Sequence, residues 1–300
     1  MHRSRKKFGV LLGFVGMCLF AGTLPATRVG LSGFDAGFLT AARCTLAGAI
    51  GLFVLLATQK PMPSRSDWLD IVAGALCSVF AFPFFAALAM RTVPASHGGI
   101  VQGILPLATA ATAALLTHER PGPGFWFASF LGTAIVLAFV LHENAGEGLS
   151  AGDFYLIGTV VAGALGYTFA GRLAARMPGW EVISWQVVVL LPISILLAVF
   201  LWPADADTVS PAALGGLAYV AFISQYAAFV VFNSAMAIGG IAQTGQIMLL
   251  QPFAILVIAF LINGERLSLQ TIMFAAAVVV CVSFGQWTRV SYSRRRNDDG

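Results

Sequence analysis

Apolar residues run in ten long blocks, and polar residues collect in the short stretches between them. The blocks are residues 8–28, 35–58, 67–91, 97–117, 123–141, 152–175, 180–202, 212–238, 241–262 and 268–288. Each approaches the roughly 20 residues with which a helix crosses the hydrocarbon of a bilayer. None alternates with the period of two that a barrel strand requires. The pattern predicts an all-α polytopic membrane protein with ten transmembrane helices. The longest loop, His142 to Gly152, is the one stretch suited to be a linker, and no soluble domain fits.

The pattern is also written twice. Met90, Gly99, Pro106 and Glu119-Arg120 recur 146 positions later as Met236, Gly245, Pro252 and Glu265-Arg266. A fixed long-range offset marks an internal repeat. The chain divides into a first five-helix repeat, residues 1–146, and a second, residues 147–300. Five is odd, so the second repeat enters the membrane inverted. Charge agrees with this. With a cytoplasmic N-terminus, 13 of the 17 Lys and Arg fall in cytoplasmic positions, among them Lys60, Arg65, Arg172 and Arg176. The outer loops keep only Arg28, Arg91 and Arg266, and are otherwise acidic, with Glu143, Glu147, Asp153, Asp205 and Asp207. This follows the positive-inside rule. It puts both termini and Glu119-Arg120 in the cytoplasm and Glu265-Arg266 outside. Related halves in so apolar a chain point to a secondary transporter with its site between them.

Composition sharpens the class. Hydrophobic residues make up 58% and charged residues 10% of the chain, against about 25% charged in soluble domains. The net charge of +4 sits at segment ends, where it meets anionic lipid headgroups, so no nucleic-acid partner is expected. The basic start, His2 to Lys7, leads into a run longer than a signal peptide's and reads as a first span. Cys18, Cys44, Cys77 and Cys281 lie inside apolar runs as small hydrophobes. No HExxH, GxSxG or phosphate-binding loop is present, so neither enzyme activity, cofactor nor metal is expected. Gly9 and Gly13 form a GxxxG that reads as close helix packing, and the chain is expected to act as a monomer.

Candidate site residues follow from what is costly in lipid. Pro106 and Pro252, each in mid-span, remove a backbone hydrogen bond and are candidate gating hinges. The polar residues His97, Gln102, Gln225, Tyr226, Asn233, Gln243 and Gln246 lie at membrane depth and should face the bundle interior. There they could bind a zwitterionic solute or join helices. Phe80, Phe84 and Tyr167 are candidates for an aromatic wall beside them. Arg43 is the one cation well inside a span; it could meet a substrate carboxylate, or snorkel and bond backbone carbonyls. No Asp or Glu lies near the centre of a span, which disfavours organic cations. No Lys or Arg lies in the ninth, which disfavours phosphorylated cargo.

Pro106 with Glu119-Arg120, Pro252 with Gly264-Glu265-Arg266-Leu267, and Ala41-Ala42-Arg43 together resemble the drug/metabolite transporter superfamily. The chain is most similar to its ten-helix EamA-type members and, among these, to YddG-type aromatic amino acid exporters. His118 departs from the pattern by replacing a glycine. The resemblance implies two inverted repeats around a cavity lined by helices one, three, four, six, eight and nine. It implies export of amino acids or related metabolites across the inner membrane. Alternating access would pinch helices three, four, eight and nine, as facilitator or exchanger. The alternative within the superfamily is a proton-coupled exporter of drugs and organic cations.

Overall fold

The computed structural model describes residues 2–117, 122–144, 149–205, 208–239 and 247–298. Among the described residues, eight helices are long and apolar enough to cross a membrane. They are α1 Phe8–Gly30, α2 Ala36–Ala57, α3 Trp68–Met90, α4 Ala95–Leu116, α5 Pro123–Glu143, α6 Ala151–Ala174, α7 Gly179–Phe200 and α8 Pro211–Ala235. Two shorter apolar helices, α9 Met248–Asn263 and α10 Leu269–Gly285, complete ten. No strand occurs among the described residues. Phe53, Phe130 and Phe200 are 71%, 79% and 85% exposed. Such a surface would be a liability in water; around a membrane bundle it is where lipid tails pack.

The helices pair across the repeats. α1 packs along α8, α3 along α6, α2 on α7 and α5 on α10. Exchanging the repeats turns the α1–α8 pair into the α6–α3 pair and leaves the other two unchanged, so the packing is itself two-fold. Small residues allow the closest approaches. A Cβ on Gly166 of α6 would lie 2.5 Å from Ser78 Cβ in α3, and one on Gly216 of α8 would lie 2.5 Å from Gly30 N in α1.

Helix ends identify the two ends of the bundle. At one end meet Arg28 closing α1, the start of α4, the start of α6 and the loop after α9. α1 and α6 therefore run in opposite senses. At the other end Asp67 and Asp70, around the start of α3, pair with Arg172 and Arg176 from the end of α6. Lys60 pairs there with Glu181 at 3.0 Å. The Lys60–Arg172–Arg176 end is thus opposite the Arg28–Arg91 end, where Arg91 lies 3.5 Å from Asp35.

The two prolines are not in mid-helix as expected. α4 is broken into Ala95–Gln102 and Leu105–Thr117, with a turn at Gly103 and Ile104. Pro106 therefore stands in the first turn of the second piece. In α9 a tight 3₁₀ turn, Met248–Leu250, precedes a helix Gln251–Asn263, and Pro252 stands in its first turn. A proline is tolerated in a first turn because its missing N–H would have no helical partner there. The sequence pattern ran through the break and the 3₁₀ turn because the stretches around them stay predominantly apolar.

The third helix of each repeat carries a second paired irregularity. Ala75–Ala81 in α3 and Tyr219–Ala227 in α8 are wound as π-helix. Such wide turns are rare and recur at functional sites. In α3 the cause is partly visible. Pro83 has no N–H to give to Val79 O, and Cys44 Sγ of α2 donates to that carbonyl at 3.1 Å.

Candidate functional site

The irregular segments bring aromatic rings together from four helices. Phe80 and Phe84 of α3 stack at 5.9 Å, with planes 15° apart. Phe229 of α8 meets Tyr167 of α6 at 6.2 Å and Phe20 of α1 edge-on at 4.9 Å. Phe232, one turn further along α8, also meets Phe20, at 5.8 Å. Phe80, Tyr226 and Phe229 belong to one packed cluster with Val79 and Val187. Several of these rings, Phe80, Phe84, Tyr167 and Phe229 among them, keep part of their surface exposed. Together they form an apolar wall shared by α1, α3, α6 and α8.

The bundle also buries polar groups. Gln102, at the break in α4, and Gln225, in the π-segment of α8, are both buried, and neither amide nitrogen has a hydrogen-bond partner. An unpartnered amide at such depth is costly, so each has a donor to offer. Ser224 shares a 2.8 Å hydrogen bond with Thr23 of α1. Arg43 Nη2 donates to Ser224 Oγ at 3.3 Å, while its Nε is unpartnered. Arg43 is 4% exposed, so it does not snorkel to the surface, and among the described residues its guanidinium bonds a side chain, Ser224 Oγ, rather than a backbone carbonyl. Gln186, on the second helix of the other repeat, is equally enclosed and has an unpartnered Nε2. That nitrogen lies against Gly74 of α3, where a Cβ would be 2.3 Å away. Each repeat's second helix thus sends a long polar side chain against the other repeat's third helix.

At the Arg28 end the contacts are ionic. Glu265 Oε1 accepts from Ala95 N at 2.7 Å and Oε2 from Ser96 N at 2.9 Å. Arg28 Nη1 is 3.8 Å from Glu265 Oε1 and donates to Val93 O at 2.8 Å. His97 Nε2 and Asp153 Oδ1 are 2.8 Å apart. Asp153 Oδ2 accepts from Asn144 Nδ2 at 2.7 Å and Ser150 N at 2.8 Å. Ser150 and Asp153 form a reciprocal capping box at the start of α6. Arg28, Ser96, His97 and Glu265 line a recess of about 220 Å³.

The expected site residues therefore separate. Phe80, Phe84 and Tyr167 stand on the aromatic wall, and Gln102 and Gln225 keep free donors near the two irregular segments. Tyr226 and Asn233 are committed elsewhere. Tyr226 OH and Ser184 of α7 are 2.8 Å apart, and Asn233 Nδ2 donates to Gly179 O at 3.0 Å. His97 belongs to the Arg28 end of the bundle rather than to its middle. Gln243 and Gln246 lie outside the described residues, as do His118 and Glu119-Arg120. The residues not foreseen are Phe20, Phe229, Phe232, Thr23 and Ser224. Ser224 carries a sequence signal after all: Ser78 is its partner at the 146 offset.

Comparison with known proteins places these features. The model of the EamA-like transporter family matches the chain twice, over residues 7–141 and 150–284. The uncharacterized transporter YdeK of Bacillus subtilis is 37% identical over 275 residues, covering 92% of this chain and 96% of that protein. The aromatic amino acid exporter YddG of Ancylobacter novellus is 26% identical over 215 residues, covering 68% and 73%. A protein of Streptantibioticus cattleyicolor named "Probable terminal-alkyne amino-acid exporter" is 27% identical over 261 residues, with 82% of each covered. A solved crystal structure aligns with a TM-score of 0.65 at 20% identity over 94% of this chain and 98% of its own, a likeness of fold. Ten apolar helices in two five-helix repeats, each matching the same model, make this chain an integral membrane protein of the EamA-like transporter family.

Proposed function

We propose that the chain exports amino acids, including aromatic and other hydrophobic ones, and related small zwitterionic metabolites. It does so across the cell's inner membrane by alternating access, as facilitator or exchanger, with both termini in the cytoplasm. The observation that carries this reading is the aromatic wall from α1, α3, α6 and α8 in a bundle that also buries the free amide donors of Gln102 and Gln225. Rings hold a side chain by contact, and a few fixed polar groups orient its charged end. The names of two relatives, an aromatic amino acid exporter and a terminal-alkyne amino-acid exporter, point the same way.

Two inverted repeats supply the movement. α1 and α6 run oppositely, and the break before Pro106 and the 3₁₀ turn before Pro252 give α4 and α9 matching places to bend. The Ala95–Gln102 piece of α4 packs mainly on α9 and less on α6, whereas the Leu105–Thr117 piece packs mainly on α6. Each piece can therefore follow a different neighbour.

The test is flux into liposomes holding the purified protein, with labelled aromatic amino acids, nucleotide sugars and cationic dyes, each with and without a pH gradient. Saturable amino acid flux indifferent to the gradient is expected. Dye movement alone, driven by protons, would replace this reading with the drug exporter. Gln102→Ala and Gln225→Ala should each lower amino acid flux several-fold at unchanged membrane levels. Unchanged flux in both would remove them from the site.

A further inference from the structure

Glu265 has no part in the aromatic site, yet it makes a two-pronged contact between the repeats. The first helical piece of α4 begins after Pro94, which has no side-chain cap to offer its free N–H groups. The acceptor comes instead from 170 residues away. Both oxygens of Glu265 are used, one on Ala95 N and one on Ser96 N. A carboxylate at a helix N-terminus satisfies orphan donors and meets the positive end of the helix dipole. Its side chain is only 9% exposed, so water competes weakly for those donors.

The turn that delivers it is built for the purpose. α9 ends at Gly264 in a left-handed conformation, φ 65°, which glycine adopts without cost. The chain reverses there and swings Glu265 over the start of α4. Arg28, from the end of α1, supports the arrangement by reaching both Glu265 and Val93 O. Beneath it α4 and α9 touch closely: a Cβ on Gly99 would lie 2.7 Å from Ile255 Cγ2. This end of the bundle cannot part at the α4–α9 seam unless Glu265 releases the two N–H groups.

We propose that Glu265 is a gating residue, a carboxylate latch from the second repeat that caps α4 of the first and holds this end of the transport path shut. The proposal rests on the alternating-access part of the functional reading and is independent of the solute. The latch sets the balance between the state closed at this end and the state open at it. Losing a charge-assisted bond of this kind shifts that balance about tenfold.

Ser96→Cys reports on the seam, since Ser96 is buried in the recess beside the latch. It is placed in purified, detergent-solubilised protein whose four cysteines are replaced by serine or alanine. Reaction with a small charged methanethiosulfonate is timed without substrate. Glu265→Gln keeps the shape but loses the charge and one acceptor, and should speed labelling about tenfold. Ala95→Pro removes one of the two N–H groups and leaves the carboxylate. Proline is tolerated at a first helical position, and Pro94, at φ −63° and ψ 155°, already has the conformation that precedes a proline. It should speed labelling as well. A rate within twofold of the parent in either variant that folds, even with a lowered melting temperature, would overturn the proposal, because a merely structural cap alters stability and leaves the seam shut. Failure of amino acid flux with accelerated labelling would count against the solute assignment alone.

Discussion

Tyr226 shows how a polar residue at membrane depth divides between meeting solute and holding helices. Its ring joins the packed cluster with Phe80, but its hydroxyl is already engaged with Ser184 of α7. A donor already satisfied has little to gain from a passing ligand. Tyr226→Phe should therefore lower the stability of the detergent-solubilised protein by about 1 kcal/mol, read as a fall of a few degrees in melting temperature. It should leave the apparent KM for amino acid flux within twofold. A KM raised tenfold at unchanged stability would mean that the hydroxyl faces solute. Gln225, its neighbour, has the opposite standing, with an amide nitrogen that is buried and unpartnered. Residue type alone could not separate the two, since both are polar and both lie in the same apolar block. Only the position of α7 decides which one is satisfied.

At the scale of elements, much was legible and two features were not. Ten apolar blocks gave ten helices, because a helix is the only open-chain way to satisfy the backbone in lipid. The 146 offset gave the repeat. The helix breaks and the π-segments were hidden, because winding depends on packing against a partner helix that the local sequence does not contain. Gly166 is such a partner. It brings α6 against the π-segment of α3, and a Cβ there would lie 2.5 Å from Ser78 Cβ and 2.8 Å from Ser78 N. Backbone atoms of a packed helix cannot step aside as a side-chain tip can. Gly166→Ala should push α3 from α6 and cost about 1–3 kcal/mol, measured as a lower melting temperature. Gly171→Ala on the same helix is the control. A Cβ there meets nothing within 4 Å, and alanine is the better helix former, so stability should hold or rise. Equal losses in both would show that the α3–α6 contact is looser than its geometry.

For the whole molecule, the structure fixes which loops share an end, while charge argues which side that end faces. Gly33, beyond α1, would set a Cβ 2.8 Å from Ala213 Cβ at the start of α8, so Ser32 and Thr208 lie at one end. Lys60 bonds Glu181, and Asp67 bonds Arg176, so Thr58 and Ala175 lie at the other. Moving Lys and Arg across a membrane is penalised during insertion, so the end rich in Lys60, Arg172 and Arg176 should be cytoplasmic. Single cysteines at these four exposed positions, in a cysteine-free background, test both statements in intact cells. An impermeant maleimide should label Ser32→Cys and Thr208→Cys, and should reach Thr58→Cys and Ala175→Cys only after the membrane is opened. The reverse pattern would turn the molecule over and exchange the side that the Glu265 latch guards. Labelling of Ser32→Cys together with Ala175→Cys would be more serious. It would break the antiparallel relation of α1 and α6, and with it the equivalence of the two repeats on which alternating access depends.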